Sequence, residues 1–285
     1  MTSIKEVLKQ NNFRFNKQFG QNFITDSNLL NAITCDAEIN KEDEILEIGA
    51  GAGTLTNLLC SKAKKVVSYE IDNNLKEVLK ETTKDKNNLT LIFKDALKED
   101  IKTIESNFDE KYKVVANLPY YITTPLIFKF LEETNNVKSI TVMVQKEVGE
   151  RFCSNVNSSD YSALTVIAKL ISNCSIKRIV NRNLFYPVPN VDSCILHFNI
   201  NKNKYNIDYD KLKKLIHTSF RMKRKTLINN LQGYNNLSKS DLKIILNSLN
   251  FDENIRAEKL TEVDFINLFN KIYGIWFDQI FNFKK

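Results

Sequence analysis

Between Asp43 and Ile200 the chain alternates short β-branched or aliphatic runs with stretches whose apolar residues recur every three or four positions. That alternation admits few folds. The runs are EILEIG (44–49), KVVSYE (65–70), LTLIFKD (89–95), YKVVAN (112–117), SITVMVQ (139–145), CSIKRIV (174–180) and SCILHFNI (193–200). Between the first five lie helical patterns such as TLTNLLCSKA and NNLKEVLKETTK. Strand and helix in repeated alternation predict a mostly parallel α/β sheet covered by helices on both faces. The last two runs lie close together with only a loop between them, which predicts an antiparallel ending to the sheet.

The strand signals stop at NKNKYNIDYD (201–210), where polar residues crowd. Beyond it the sequence reads as helices: one over 210–231, a second from Ser238, a third from Thr261, the last two opened by cap-type residues followed by acids. At 285 residues and 42% apolar content the chain has enough material for two domains, expected at 1–200 and 201–285. Charge follows the same division. Of 41 basic and 34 acidic residues, 25 of each fall in 1–200, leaving 16 basic against 9 acidic in 201–285. The excess of +7 therefore belongs to the helical part, which is expected to face a polyanion. Five cysteines, none in a C-x-x-C pair, give neither a disulfide framework nor a thiolate zinc site, and no metal is expected. No apolar run reaches the length of a membrane span, so a soluble protein of the reducing cytoplasm is expected. His197 and His217 stand apart and read as ordinary strand and helix residues.

EIGAGAG (47–53) closes the first strand and opens a helix, the geometry in which glycines let the backbone turn sharply and approach a ligand. Its spacing is G-x-G-x-G; a dinucleotide fingerprint needs G-x-G-x-x-G, and Thr54 occupies the sixth position. Glu70, 21 residues after Gly49, ends the second strand where an acid can hold both ribose hydroxyls of a nucleoside, of NAD or of S-adenosylmethionine alike. Asp95 ends the third strand and is placed to accept from an exocyclic adenine amine.

NLPYYITTPL (117–126) leaves the fourth strand with an amide, a proline and two tyrosines. In a doubly wound sheet the first and fourth strands are neighbours where the winding reverses, so Gly49 and Asn117 are expected to face one crevice. An adenine amine attacking a methyl sulfonium needs no strong base, because its proton becomes acidic as the nitrogen quaternises. It needs its lone pair withdrawn from the ring. The Asn117 side-chain oxygen and the Leu118 carbonyl are suited to take the two amine hydrogens, Pro119 to aim them, and Tyr120 to stack on the base. A base held in a helix or loop must first be unstacked. Phe185, in the proline-rich stretch NLFYPVPNVDSC, is expected as an exposed ring on the opposite face.

These residues carry a resemblance. Together with FGQNFITD (19–26), LEIGAGAGTLT (46–56), YEID, KDAL, VQKEVGERF (144–152), FYPVPNVDS (185–193) and FRMKRKTLINNL (220–231), the chain resembles the ribosomal RNA adenine N6,N6-dimethyltransferases along nearly its whole length, and specifically the small-subunit enzymes. The resemblance implies a Rossmann-like methyltransferase sheet with a small all-helical C-terminal domain. It implies S-adenosylmethionine contacts at Asn22, Ile24, Gly49, Gly51, Glu70, Asp95 and Asn117, and target-base positions at Asn117, Leu118, Tyr120 and Phe185. It also implies transfer of four methyl groups to two adjacent adenosines in a loop near the 3′ end of small-subunit rRNA, within an assembling 30S particle. Ala50 replaces the usual proline of the glycine loop, Tyr161-Ser162 a tyrosine-glycine pair, and Asn190 a common lysine.

Arg221, Lys223, Arg224 and Lys225 are expected on a helix with Lys211, Lys213 and Lys214, giving salt-sensitive, sequence-independent RNA affinity. Arg14 and Lys17, interleaved with Phe13, Phe15 and Phe19, could add to it. The expected protein is a monomer with no membrane partner. Rivals are the large-subunit methyltransferases of macrolide resistance, which carry serine in place of Gly20, and an assembly or transcription factor that keeps the fold without turnover.

Overall fold

The computed structural model describes residues 22–134, 136–201 and 207–282, with side chains described as far as Gly274. Expectations placed on 13–21, the Arg14 and Lys17 contacts included, lie outside these residues. The chain groups into two compact units: 1–149 with 173–200, and 150–172 with 201–285. This grouping differs from the sequence boundary at 200 in the segment 150–172.

Among the described residues, nine strands belong to the first unit's sheets: β1 (Phe23–Ile24), β2 (Glu44–Ile48), β3 (Lys65–Glu70), β4 (Leu89–Phe93), β5 (Tyr112–Asn117), β6 (Val137–Gln145), β7 (Ser172–Val180), β8 (Phe185–Tyr186) and β9 (Ser193–Ile200). Seven form one sheet in the order β4-β3-β2-β5-β6-β9-β7. β2 pairs in parallel with β3 and β5, β3 with β4, and β5 with β6. β9 runs antiparallel to β6, from Gln145 opposite Ser193 to Ser139 opposite Asn199. β9 thus inserts between β6 and β7, an arrangement local periodicity does not reveal.

Burial tracks position in the sheet. β2 is central, and all five of its residues are buried, as covering on both faces requires. β7 is at the edge, and its exposed residues include Lys177 and Arg178, the kind of charge that keeps an open edge from pairing further. Above β2, Leu29 and Ile33 of helix Ser27–Asp36 and Leu55 and Leu59 of helix Thr54–Lys62 close a core with Ile45, Val66 and Val115. Helix Tyr120–Glu132 buries Leu126, Ile127, Phe130 and Leu131. His197 is a strand residue, buried on β9 with its Nδ1 2.8 Å from the Thr141 hydroxyl.

β1 and β8 form a separate two-stranded ribbon, Phe23 opposite Tyr186 and Ile24 opposite Phe185. Only two residues long each, these strands carry no readable alternation.

The second unit is helical: Ala163–Ile171, Tyr209–Ser219, Leu227–Leu231, Lys239–Ser248 and Glu262–Asn282. Helix Ala163–Ile171 explains the altered grouping. Six of its nine residues are buried, and it packs against helices Tyr209–Ser219 and Glu262–Asn282. The buried Tyr161 hydroxyl adds a bond to the Leu260 carbonyl at 2.9 Å. Ser238 opens its helix with a reciprocal bond pair to Asp241.

The single helix expected over 210–231 is two helices. The first ends at Ser219, and residues 220–225 form turns. Asn230 is the reason. Its side-chain amide, buried, donates to the carbonyls of Ser219 and Met222 at 2.7 and 3.2 Å, and its oxygen accepts from the Met222 N–H at 3.1 Å. Thr226 then caps the second helix by accepting from the Asn229 N–H. Among the described residues no helix is long and apolar enough to cross a membrane.

Candidate active site

The carboxyl ends of β2, β3, β4 and β5 open into one cavity of about 260 Å³ within the first unit, near the lower end of the roughly 300–1,000 Å³ common for small-molecule sites. Asn22, Ile24, Gly49, Gly51, Glu70, Asp95, Asn117, Leu118, Tyr120 and Phe185 all line it. Residues spread over more than 160 positions are brought together because β2 and β5 are adjacent at the switch point of the winding.

Gly49 and Gly51 both have positive φ, +82° and +57°. At Gly51 a side chain would also crowd the Phe23 ring, whose nearest carbon lies 3.1 Å from where a Cβ would stand. The Gly51 N–H is turned onto Glu70, donating to Oε2 at 2.8 Å, while the Asp72 N–H donates to Oε1 at 2.8 Å. Glu70 is only 6% exposed. Burial raises its pKa, and those N–H bonds oppose the rise. A carboxylate has about four acceptor positions. With these two bonds in place, acceptor capacity remains on the cavity side, which fits a pair of ribose hydroxyls.

Asp95 follows β4 and fixes its own turn, Oδ1 accepting from the Leu97 N–H at 3.0 Å. Lys98 stands 3.8 Å from the other oxygen. The donor set of the cavity (glycine backbone, a buried carboxylate, a turn-held aspartate) matches a nucleoside-bearing cofactor. The lysine on the cavity lining, Lys94, is paired with Glu99 at 2.7 Å.

Asn117 is half-buried at the end of β5, and its Nδ2 donates to the Asn22 carbonyl at 3.1 Å. That bond orients the amide so that Oδ1 is the atom left to accept. Leu118 is buried, and Pro119 precedes the first turn of helix Tyr120–Glu132. The Tyr120 hydroxyl lies 2.8 Å from Ser193 Oγ, and burial raises its pKa despite that bond. Ser193 opens β9, so the ring of Tyr120 is tied across 73 positions of sequence. The residue sits inside the stretch FYPVPNVDS, yet nothing local predicts its partner.

Phe185 departs from expectation. The ring is 3% exposed and packs in the core with Ile24, Leu29 and Ile33. Pairing of β8 with β1 draws it inward, so it forms cavity wall rather than a free-standing face. An exposed aromatic at the cavity is Tyr121, 61% accessible, and Ile71 is a second exposed residue of the lining. Sequence reasoning passed over both. A tyrosine doublet at the start of a helix does not show which ring turns outward.

Arg221, Lys223, Arg224 and Lys225 occupy the turn after Ser219, not a helix, and all four are exposed. None of them meets an acid among the described residues; Lys223 donates to the Ser159 carbonyl at 2.6 Å. By contrast Lys211 and Lys213 on the helix pair with Asp208 and Asp210 at 3.0 and 3.2 Å.

A family model described as ribosomal RNA adenine dimethylase matches residues 12–273. The chain belongs to the ribosomal RNA adenine dimethylase family. Members of this family are methyltransferases that modify adenine in ribosomal RNA and take the methyl group from S-adenosylmethionine. Among its relatives is a ribosomal RNA small subunit methyltransferase A of Clostridium botulinum, 42% identical over 273 residues, 95% of this chain and 98% of the relative. A dimethyladenosine transferase of Plasmodium falciparum aligns with a TM-score of 0.77 at 30% identity, over 88% of this chain and 98% of that one. A 23S rRNA methyltransferase, ErmE, aligns at 0.69 and 23% identity over 88% and 99%; at that identity the likeness is one of fold. The Rossmann-like sheet and the added helices are therefore those of a dimethylase.

Proposed function

We propose that this dimethylase acts on small-subunit rRNA, transferring four methyl groups to N6 of two adjacent adenosines in a loop near the 3′ end while the 30S particle assembles. The observation that carries the chemistry is the shared cavity. A glycine turn, a buried acid and the Asn117 amide open on one another at the switch point of the sheet. The choice of small-subunit rRNA is supported by the 42% identity to a small-subunit enzyme over nearly both full lengths.

In this reading Glu70 accepts from the ribose hydroxyls of S-adenosylmethionine, Asp95 accepts from its adenine amine, and the backbone at Gly49 and Gly51 approaches its amino-acid portion, with Asn22 and Ile24 lining the cavity beside them. The bound cofactor supplies an electrophilic methyl group. Everything else belongs to the protein's own groups. Asn117 Oδ1 and the Leu118 carbonyl take the two hydrogens of the target amine, drawing its lone pair out of the ring toward tetrahedral geometry. As the new C–N bond forms, the methyl group's bond to the sulfonium sulfur would break, its electron pair staying on sulfur as the thioether S-adenosylhomocysteine, and the nitrogen's proton then leaves to water. Tyr120, steadied by Ser193, presents a ring to the extruded base, and Phe185 backs the cavity. Arg221, Lys223, Arg224 and Lys225 supply phosphate contacts.

Mass-spectrometric mapping of small-subunit rRNA from cells lacking the protein tests this reading. Unmethylated adjacent adenosines near the 3′ end, restored by the purified enzyme with assembling 30S particles, are expected. Full methylation at that loop without it, or transfer to 23S rRNA instead, would overturn the assignment.

A further inference from the structure

Lys129 is a buried lysine with no buried acid against it among the described residues. It is 9% exposed on helix Tyr120–Glu132, the helix that begins at the Asn117 turn. Among the described residues its ion-pair partner is the exposed Glu133, 4.0 Å away. Its ammonium donates instead to two main-chain carbonyls, Leu97 at 3.0 Å and Glu99 at 2.5 Å. Taking an ammonium out of water is costly, so two short charge-assisted bonds at one place mark where the fold uses it.

That place is the turn carrying Asp95. The Asp95 carbonyl accepts from the N–H groups of Lys98 and Glu99, both at 3.1 Å, and its side chain accepts from Leu97. Residues 97 and 99 are thus held by Asp95 on one side and by Lys129 on the other. The turn follows β4, the edge strand, so no further strand flanks it.

We propose that Lys129 is a positioning residue for cofactor recognition: by clamping Leu97 and Glu99 it fixes Asp95 as the acceptor that reads the adenine amine. This rests on the reading of Asp95 given above. Lys129 lies 12 positions after Asn117, on the helix Tyr120–Glu132 that follows the Asn117 turn, so the helix that leaves the target-amine acceptor also holds the turn for the cofactor amine.

The test is calorimetric titration of the full chain with S-adenosylhomocysteine and with S-inosylhomocysteine, in which a carbonyl oxygen replaces the amine. Wild type is expected to prefer the adenosyl ligand. Lys129→Met should weaken adenosyl binding about tenfold, the scale of one charge-assisted hydrogen bond, and leave inosyl binding nearly unchanged, so that the preference collapses. The rate at saturating S-adenosylmethionine should stay within about twofold of wild type, because such a loss falls on cofactor binding and not on the transition state. Lys129→Gln, which keeps one donor, should fall between, and it carries the same comparison if the methionine variant does not fold. A variant that keeps the wild-type preference, or loses affinity equally for both ligands, overturns the proposal for Lys129 alone. A wild type with no preference overturns the reading of Asp95 as well.

Discussion

The cavity of the sheet unit and the basic turn of the helical unit use polar groups in opposite ways. In the cavity three of the polar side chains assigned to the chemistry have set partners: Glu70 takes the Gly51 and Asp72 N–H groups, Asn117 holds Asn22, Tyr120 meets Ser193. In the turn the guanidinium groups of Arg221 and Arg224 and the Lys225 ammonium meet no acid among the described residues, while the backbone beneath them is fastened by one buried amide, Asn230. The first arrangement fixes atoms to fractions of an ångström, which transfer chemistry demands. The second fixes only a patch of charge, which is enough for a phosphate backbone read without sequence.

If that contrast is right, the largest effect comes from the smallest change in the cavity. Asn117→Ala should lower kcat by about 10²- to 10³-fold, the range for removal of one preorganised polar group, while calorimetry shows cofactor binding within a few-fold of wild type. Near-normal turnover would remove the amide from the mechanism.

Next is a stability effect in the strand below the glycine turn. Glu47 is fully buried, its pKa pushed up to about 7 by burial, with the Ser68 and Thr56 hydroxyls opposing. Oε2 accepts from Ser68 at 2.6 Å, whereas among the described residues neither Oε1 nor the nearby Thr56 hydroxyl meets a partner in full hydrogen-bond geometry. The folded pKa lies above the unfolded one, so the folded state binds the extra proton. Stability is therefore greatest below the ordinary value of 4.5, falls as pH rises toward about 7, and levels off above it. Glu47→Gln should remove that slope and stabilise the protein at pH 8 by up to roughly 3 kcal/mol, measured by urea unfolding across pH. An unchanged slope would show that Glu47 titrates alike in the folded and unfolded states.

In the second unit, Asn230→Ala takes the Asn230 partner from the Ser219 carbonyl and the Met222 N–H, while the Met222 carbonyl keeps its bond from the Lys225 N–H at 3.0 Å. It should cost about 2 kcal/mol in denaturant unfolding and weaken RNA binding, with cofactor affinity unchanged. The smallest effects belong to the exposed cations. Arg224→Ala or Lys225→Ala should reduce the slope of log affinity against log salt by about 1 each, with stability and cofactor affinity unaltered. A loss of base selectivity on either substitution would break the contrast between the two regions.

Much of the cavity was legible because its signals are local. Gly49, Gly51, Glu70, Asp95 and Asn117 each stand at the carboxyl end of a strand that its own residues announce, and the doubly wound order places those ends together. Phe185 was legible as a position but not as an environment. Its burial depends on pairing with Ile24, and a two-residue strand has no periodicity to read. The basic residues were legible as a cluster in the sequence, but they lie in a turn and not on the helix expected. KLIHTSFRMKRKTLINNL keeps a helical pattern through a break that Asn230 imposes from farther along the chain.

By itself, then, the sequence determined the parallel sheet, the spacing of the glycine turn, the acids at successive strand ends and the concentration of positive charge after residue 200. All of these follow from backbone periodicity and composition within a few residues. Tertiary structure alone decided that β9 enters between β6 and β7, that residues 150–172 pack with the helices, that Tyr120 meets Ser193 and that Lys129 is buried against the Asp95 turn. Those outcomes depend on which unpaired carbonyls, hydroxyls and apolar faces meet once the chain has closed on itself. A hydrogen bond across 30 or 73 positions leaves no trace in the pattern around either of its ends.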